Sequence, residues 1–145
     1  MKKESLFSYH PESGEASCLI EDKDGNIIYG IAKCHPDDMD MANEKTGCNF
    51  AYKRAYIKVL QAYKKELKIQ LGALNQLYYS INRSKYFNPK SYENKMLQRQ
   101  IRQKQEDISY VNDSIKNAKD ELNYIIKEKD KFYQSIRKHR NEAKN

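Results

Sequence analysis

Residues 97–136 read LQRQIRQKQEDISYVNDSIKNAKDELNYIIKEKDKFYQSI and hold the most regular pattern of this 145-residue chain. Twelve positions of this stretch follow alternating steps of four and three residues, and ten of the twelve are apolar. They are Leu97, Ile101, Lys104, Ile108, Val111, Ile115, Ala118, Leu122, Ile125, Lys129, Phe132 and Ile136. This spacing is typical of a coiled-coil seam, so it predicts one long helix over residues 91–145.

A shorter seam precedes it. Five apolar positions step by four and three residues, which predicts a first long helix over residues 42–81. They are Leu67, Leu71, Leu74, Tyr78 and Ile81. Residues 82–90 are predicted to form a break, because Asn88-Pro89 cannot continue a helix. We expect the two helices to pair antiparallel across this break.

The second predicted helix is the longer of the two. At ~1.5 Å per residue it would extend over about 75 Å, more than the seam of the first helix can cover. We therefore expect the remaining seam to be covered by another copy of the chain. The sequence predicts an oligomerising coiled coil, a homodimer or a higher homo-oligomer, with Lys104 and Lys129 setting the register.

Residues 1–41 are predicted to form a small antiparallel β-hairpin sheet and a loop. Strands are expected over 6–9, 15–21 and 26–34, and the turn Asp22-Lys23-Asp24-Gly25 joins the last two. The sheet comes first and the helices follow, so the predicted fold class is α+β. At this length we expect one domain overall.

Both faces of this predicted sheet are apolar. Ala16, Cys18 and Ile20 share one face of their strand by the period of two. We expect Leu19 to lie on the opposite face together with Ile28 and Ala32. One face would then be covered by the helix of the same chain and the other by a second subunit.

The positive charge is concentrated in the middle third of the chain. Residues 48–104 hold 13 Lys and Arg against 2 Asp and Glu, a net charge of +11. Residues 1–47 hold 5 against 10, and residues 105–145 hold 9 against 8. Aromatic rings are interleaved with the basic residues, which suits a nucleotide or a nucleic acid. The rings are Tyr52, Tyr56, Tyr63, Tyr78, Tyr79, Tyr86, Phe87 and Tyr92.

Signatures of catalysis and of metal binding do not occur in the sequence. It has no glycine-rich phosphate loop, nucleophile elbow or helical histidine pair, so we expect no enzymatic activity, metal or cofactor. Cys18, Cys34 and Cys48 have irregular spacing, which favours small buried residues over zinc ligands. We also expect a cytoplasmic protein without a membrane partner, since no export signal or membrane-length apolar run occurs.

The candidate ligand residues lie on both sides of the break. Arg99 and Arg102 stand one helical turn apart and can grip a diphosphate. Rings near the break can stack on adenine, and a neighbouring asparagine can bind its edge. These residues are Tyr78, Tyr79, Asn82 and Asn88. A solvated charged face with tyrosines capping the coil is the alternative interpretation.

A family resemblance starts at Gly30. The run GIAKCHPDDMD over 30–40, NEKTGC over 43–48 and the pattern Ala51-x-x-Arg54-Ala55-x-Ile57-Lys58-x-Leu60 resemble small proteins of phages and prophages of Gram-positive bacteria. The strand-strand-helix plan resembles double-stranded-RNA-binding folds. With its two long helices, the chain is similar to the Thoeris anti-defence family, type one, whose members sequester cyclic ADP-ribose isomers made by bacterial immune enzymes.

The resemblance implies a symmetric oligomer that binds a small cyclic nucleotide between subunits without cleaving it, in the bacterial cytoplasm during phage infection. The positions that fit by role and place are Arg54, Tyr78, Tyr79, Asn82, Asn88, Arg99 and Arg102. Two other functions stay open. The basic segment also suits a nucleic-acid-binding protein, including an inhibitor of a guided nuclease, and the seams suit a coiled-coil adaptor.

Overall fold

A computed structural model describes residues 5–34, 43–84, 88 and 90–144 of the chain. Three strands precede two long helices, which confirms the predicted α+β class. The elements are β1 (Ser5–His10), β2 (Glu15–Glu21), β3 (Ile27–Lys33), α1 (Glu44–Asn82) and α2 (Tyr92–Lys144). The predicted loop at 35–41 and residues 85–87 and 89 of the predicted break lie outside the described residues.

The chain divides into two compact units. The first comprises Met1–Val59 and Lys116–Asn145, and the second comprises Leu60–Ile115. Each unit contains part of both helices. Within the described residues, neither helix combines the length and apolar character that crossing a membrane requires.

The sheet of the first unit is antiparallel with the order β1-β2-β3. The turn between β2 and β3 is closed by Asp22, whose Oδ1 accepts hydrogen bonds from the N–H groups of Asp24 (2.9 Å) and Asn26 (2.8 Å). Gly25 has a φ of +82°, a conformation that side chains with a Cβ rarely adopt. The Asp-x-Asp-Gly sequence therefore fixes the hairpin by its own local hydrogen bonds.

The register of β2 and β3 corrects one predicted face. Leu19 lies opposite Tyr29, whereas Ala16 lies opposite Ala32 and Ile20 opposite Ile28. Residues directly opposite in an antiparallel pair share a face. Ile28 and Ala32 therefore belong to the face of Ala16, not to that of Leu19. The prediction was wrong because the turn length sets the register, and a shift of one residue exchanges the faces.

Helix α1 packs on the sheet through small residues. Gly47, Ala51 and Ala55 recur every four residues and so form one stripe of the helix. A Cβ on Gly47 would lie 3.0 Å from the Cβ of Ala16, and a Cβ on Gly30 would lie 2.5 Å from the backbone N of Ala55. The helix backbone therefore rests almost directly on β3. A buried cluster surrounds this contact, and its members include Cys18, Ile20, Ala32, Phe50 and Val59.

The C-terminal part of α2 completes the core of the first unit. Leu122, Ile125 and Ile126 pack against the buried cluster of the sheet and α1. Tyr133 is 8% exposed, whereas the predicted seam residue Phe132 is 62% exposed. A straight α-helix has 3.6 residues per turn rather than 3.5, so its apolar stripe drifts from a strict heptad seam. Within the single chain, the buried stripe therefore passes through Tyr133 rather than through Phe132.

This packing also removes the reason for expecting an oligomer from helix length. The prediction required a second copy to cover the C-terminal part of the α2 seam. In the structure, Leu122 and Ile125 already contact the core formed by their own chain. An oligomerising coiled coil is therefore not required by the length of α2.

The second unit is an antiparallel pair of helical segments. Leu67 of α1 forms a buried cluster with Val111 and Ile115 of α2. Lys104 donates from Nζ to Oε1 of Gln70 at 2.6 Å. The predicted antiparallel pairing is confirmed within this unit, and a polar hydrogen bond occupies one seam position. Such a bond specifies the register, because shifting the helices would leave it unmade.

We predict that Gly30→Ala lowers the free energy of unfolding by about 1–3 kcal/mol, since the added Cβ has no room against the α1 backbone. Urea denaturation followed by circular dichroism measures this change. The matched control is Gly72→Ala, where a Cβ would meet nothing within 4 Å. This control should be stabilising by up to about 1 kcal/mol, because glycine is unfavourable inside a helix. Equal effects of the two substitutions would contradict the proposed packing.

Candidate functional site

A pocket in the first unit lies at the start of α1. Its walls come from the β1–β2 turn, the end of β3, the first turns of α1 and one face of α2. The lining residues are Gly14, Ala32, Lys33, Cys34, Asn43, Thr46, Gly47, Phe50, Arg54, Ile126, Lys129 and Tyr133. Four chain segments thus converge on one concave site.

Local hydrogen bonds position the walls of this pocket. Asn43 caps α1, since its Oδ1 accepts a hydrogen bond from the N–H of Thr46 (3.2 Å) and its carbonyl accepts one from Gly47 (2.9 Å). Gly14 has a φ of 68°, and its carbonyl accepts a hydrogen bond from the N–H of Cys34 at 3.2 Å. The glycine turn therefore ties the end of β3 to the pocket.

The charge of the pocket favours an anion. Lys33, Arg54 and Lys129 line it, and its described lining residues include no Asp or Glu. The N-terminus of α1 adds the positive end of a helix dipole beside Asn43. Phosphate and carboxylate groups are the ligands that such a combination attracts.

Lys129 lies between two rings of the pocket. Its Nζ is 5.0 Å from the ring centroid of Phe50 and 5.5 Å from that of Tyr133. An ammonium at these distances is attracted by the ring faces. The contacts hold the cation at the pocket wall while its remaining donors stay available for a ligand.

Arg54 has a structural contact as well as a place in the pocket. It donates from Nη1 to the carbonyl of Ile31 at 2.7 Å, and Lys58 donates from Nζ to the carbonyl of Tyr29 at 2.9 Å. From Arg54 to Lys58 the helix advances about 6 Å. From Ile31 to Tyr29 the strand advances about 6.6 Å, so the spacing of the two donors matches the spacing of the two carbonyls. Arg54 and Lys58 therefore close the outer edge of β3.

The size of the pocket limits its ligand. It encloses about 50 Å³. A water needs about 10–15 Å³ of such space, so roughly four waters, or one phosphate group, would fill it. Sites for whole drug-sized ligands enclose roughly 300–1,000 Å³. The pocket suits the phosphate of a nucleotide, and the rest of that molecule would extend outside.

Of the seven predicted site residues, Arg54 is the one that lines this pocket. The other six belong to the second unit. There Tyr78 is half-buried, and its hydroxyl accepts a hydrogen bond from Nε2 of Gln98 at 3.2 Å. Tyr79 is exposed, and the guanidinium of Arg83 lies 4.8 Å from its ring centroid. Asn82 is exposed at the end of α1.

The remaining predicted residues lie at and after the break. Asn88 is exposed, and its Oδ1 accepts a hydrogen bond from the N–H of Lys90 at 3.0 Å. Arg99 and Arg102 are exposed on α2, and among the described residues no hydrogen bond or cation–π contact joins either of them to Tyr78 or Tyr79. Sequence reasoning missed Asn94, which is 3% exposed and whose Oδ1 has no hydrogen-bond partner among the described residues.

The pocket residues of α2 could be found only in part from the sequence. Lys129 was noticed as a charged position of an apolar seam, but a role in register was assigned to it. Its place among rings depends on the packing of α2 on the first unit. Phe50 and Tyr133 were not singled out, because nothing in their local sequence distinguishes a pocket wall from a core.

The three cysteines differ in their surroundings. Cys18 is fully buried, whereas Cys34 and Cys48 are partly exposed, which corrects the prediction that all three are buried. Burial, and secondarily the nearby Cys48, raises the pKa of the Cys18 thiol. Burial, and then the charge of Glu44, raises the pKa of Cys48. Within the described part of the chain, no group of three or more His, Cys, Asp or Glu side chains could hold a metal ion.

The comparisons with known proteins give no relative. Neither the protein-family models, nor the curated proteins, nor the solved structures contain a significant match to this chain.

We predict that Cys18 of the folded protein resists alkylation by iodoacetamide at neutral pH. The thiolate is the reacting form, and burial both shields the sulfur and raises its pKa. Mass spectrometry of tryptic peptides should show Cys18 modified only after unfolding in urea. Modification of Cys18 at the same rate in folded and unfolded protein would contradict its position in the core.

Proposed function

We propose that this protein binds a small cyclic nucleotide, such as a cyclic ADP-ribose isomer, and retains it without cleaving it. As an anti-defence protein of a phage, it would thereby remove an immune signal from the infected cell. The observation that carries the proposal is the basic, aromatic pocket at the start of α1, where Arg54 and Lys129 accompany Phe50 and Tyr133. The resemblance of the 30–60 segment to phage proteins supports the biological setting.

The chemistry of the pocket supports recognition of a phosphate. One donor of Arg54 is used by the carbonyl of Ile31, and a guanidinium has five donors. Lys129 of α2 contributes a second cation to the same pocket. A phosphate between them would form charge-assisted hydrogen bonds, which are the strong class of such bonds. The base or ribose of the nucleotide would then lie at the open side of the pocket.

The proposal of binding without turnover rests on the absence of a candidate acid, base and nucleophile set. Of the two histidines among the described residues, His139 lies 3.9 Å from Glu142. Neither His10 nor His139 lines the pocket, so no described histidine is placed there to activate a nucleophile. Among the described residues, none that lines the pocket carries a carboxylate for general acid–base chemistry.

Nucleic-acid binding is the second candidate function. It is favoured by the exposure of Lys95, Arg99 and Arg102 on α2, within the segment of net charge +11. Exposed cations along a helix can follow a phosphate backbone. A coiled-coil adaptor is the third candidate, and it would bind neither ligand.

We predict that Lys129→Met weakens binding of the cyclic nucleotide by roughly ten- to a hundredfold, equivalent to about 1.5–3 kcal/mol. Methionine keeps much of the apolar stem of Lys129 but removes the charge. Isothermal titration calorimetry with purified cyclic ADP-ribose isomers measures the affinity. Heat release followed by mass spectrometry should recover the nucleotide intact. Recovery of a cleaved product would instead identify an enzyme.

The matched control is Lys127→Met, an exposed lysine of the same helix that does not line the pocket. Its affinity should equal that of the unmodified chain. Arg99→Ala and Arg102→Ala test the site predicted at the break. A loss of affinity in these variants, with Lys129→Met unaffected, would move the ligand from the pocket to the second unit.

Salt distinguishes the first two functions. Binding of one nucleotide with two phosphates should lose affinity with a shallow salt slope. Backbone binding that neutralises six or more phosphates should lose roughly a thousandfold or more between low and moderate salt. Tight, steeply salt-dependent binding of RNA or DNA without binding of cyclic nucleotides would overturn the sequestration proposal.

A further inference from the structure

The two outer edges of the sheet, formed by β1 and β3, differ in whether side chains bond to their backbone groups. The edge of β3 is closed by the side chains of Arg54 and Lys58, which donate to the carbonyls of Ile31 and Tyr29. No side chain of the described residues donates to the outer edge of β1 in this way. A strand edge without such protection is a template for pairing with another strand.

The hydrogen bonds at the β3 edge also determine which backbone groups of β1 point away from the sheet, because the outward and inward groups alternate from strand to strand. The carbonyls of Tyr29 and Ile31 point away from β2, since they bind the side chains of α1. The residues opposite them in β2 are Leu19 and Ser17. In an antiparallel sheet these two residues direct their own backbone groups to the other neighbour, which is β1.

The same alternation continues into β1. Its residues opposite Leu19 and Ser17 are Leu6 and Ser8, so these use their N–H and C=O groups for β2. The alternate residues have their N–H and C=O groups on the open side. They are Ser5, Phe7 and Tyr9.

The surroundings of the open edge are aromatic. Phe7 lies opposite the buried Cys18, on the face of the sheet that packs against α1, yet it is 50% exposed. Tyr52 of α1 is 39% exposed. The ring centroids of Phe7 and Tyr52 are 6.4 Å apart, and Tyr56 stacks on Tyr52 at 6.2 Å with an interplanar angle of 13°. We call Phe7, Tyr52 and Tyr56 the aromatic ledge. An open groove along Phe7, Cys48 and Tyr52 adjoins it.

We propose that the open edge of β1 pairs antiparallel with the β1 edge of a second copy of this chain, with the two-fold axis at Phe7. Phe7 would exchange both backbone hydrogen bonds with Phe7 of the second copy, and Ser5 would do so with Tyr9 of the second copy. Ser5, Phe7 and Tyr9 each supply one backbone N–H donor, so the two copies together form about six hydrogen bonds. The two sheets would become one continuous sheet of six strands.

Two properties of β1 favour a second copy as the occupant. A two-fold axis places identical residues next to each other, and like charges there would repel. Ser5–Tyr9 contains no charged residue, so the strand is compatible with its own copy. The ledges of both copies would also meet at the axis, because Phe7 faces Phe7. A six-residue strand with one ledge is smaller than a standard interface of about 800 Å² per partner, so this pairing belongs to the weak, reversible class of contacts.

An interface below the standard size predicts a weak, reversible dimer rather than a permanent one. Sedimentation equilibrium of the full chain from about 1 to about 500 µM should show a monomer–dimer equilibrium. Amide hydrogen exchange locates the interface. The N–H groups of Phe7 and Tyr9 should exchange more slowly at the high concentration, whereas those of Leu6 and Ser8 should be protected at both concentrations.

A pair of variants tests the proposed axis. Phe7→Lys places two ammonium groups next to each other and should weaken the dimer at least about tenfold. Because Phe7 is half-exposed, circular dichroism should be unchanged. The matched control is Ile27→Lys on β3, which removes a 68% exposed apolar side chain from the outer face and should leave the dimer intact.

Three outcomes would overturn the proposal. One is a monomer at every concentration, in which case the open edge is left for a strand of another protein. Another is a dimer that forms without concentration-dependent protection of Phe7. The third is a dimer lost in Ile27→Lys and kept in Phe7→Lys, which would assign the interface to the outer face of the sheet.

Discussion

The first unit depends on the close approach of α1 to Gly30. Because glycine has no side chain, the helix backbone at Ala51 and Ala55 lies directly on β3. This distance brings Arg54 and Lys58 within reach of the carbonyls at the edge of that strand. A larger distance between α1 and the sheet would move Arg54 and Lys58 away from the edge of β3, and it would move Arg54 away from the pocket. Packing of small residues thus sets the electrostatics of the site.

Helix α2 has a different role in each of the two units. In the first, its C-terminal part supplies Lys129 and Tyr133 to the pocket and Leu122 to the core. In the second, it pairs with α1 through Val111 and Ile115. Apolar residues of α2 therefore pack against the core of the sheet in the first unit and against α1 in the second. The α-helical period of 3.6 residues accounts for the burial of Tyr133 in place of the predicted burial of Phe132.

The candidate site combines local and long-range features. Asn43, Thr46 and Gly47 start α1 by capping chemistry that short-range sequence encodes. Phe50 and Lys129 meet across 79 positions of the sequence, and only folding brings the ring and the cation within 5.0 Å. The basic segment identified from composition contributes Arg54 to the pocket, while Lys129 comes from beyond that segment. Charge counting over residues 48–104 therefore located one of the three cations among the described lining residues.

The sequence by itself determined the order of the strands and helices, and their bounds to within about two residues, because periodicity, turn residues and caps act over a few residues. It also determined the antiparallel pairing of α1 and α2 through their seams and the break. The face that Leu19 shares follows from the local turn at residues 22–26, and it was mispredicted because one residue of register exchanges the two faces. Only the tertiary structure decided that the C-terminal part of α2 is covered within the chain and that Arg54 joins Lys129 rather than Arg99. Such contacts depend on packing distances between distant segments, which no local pattern records.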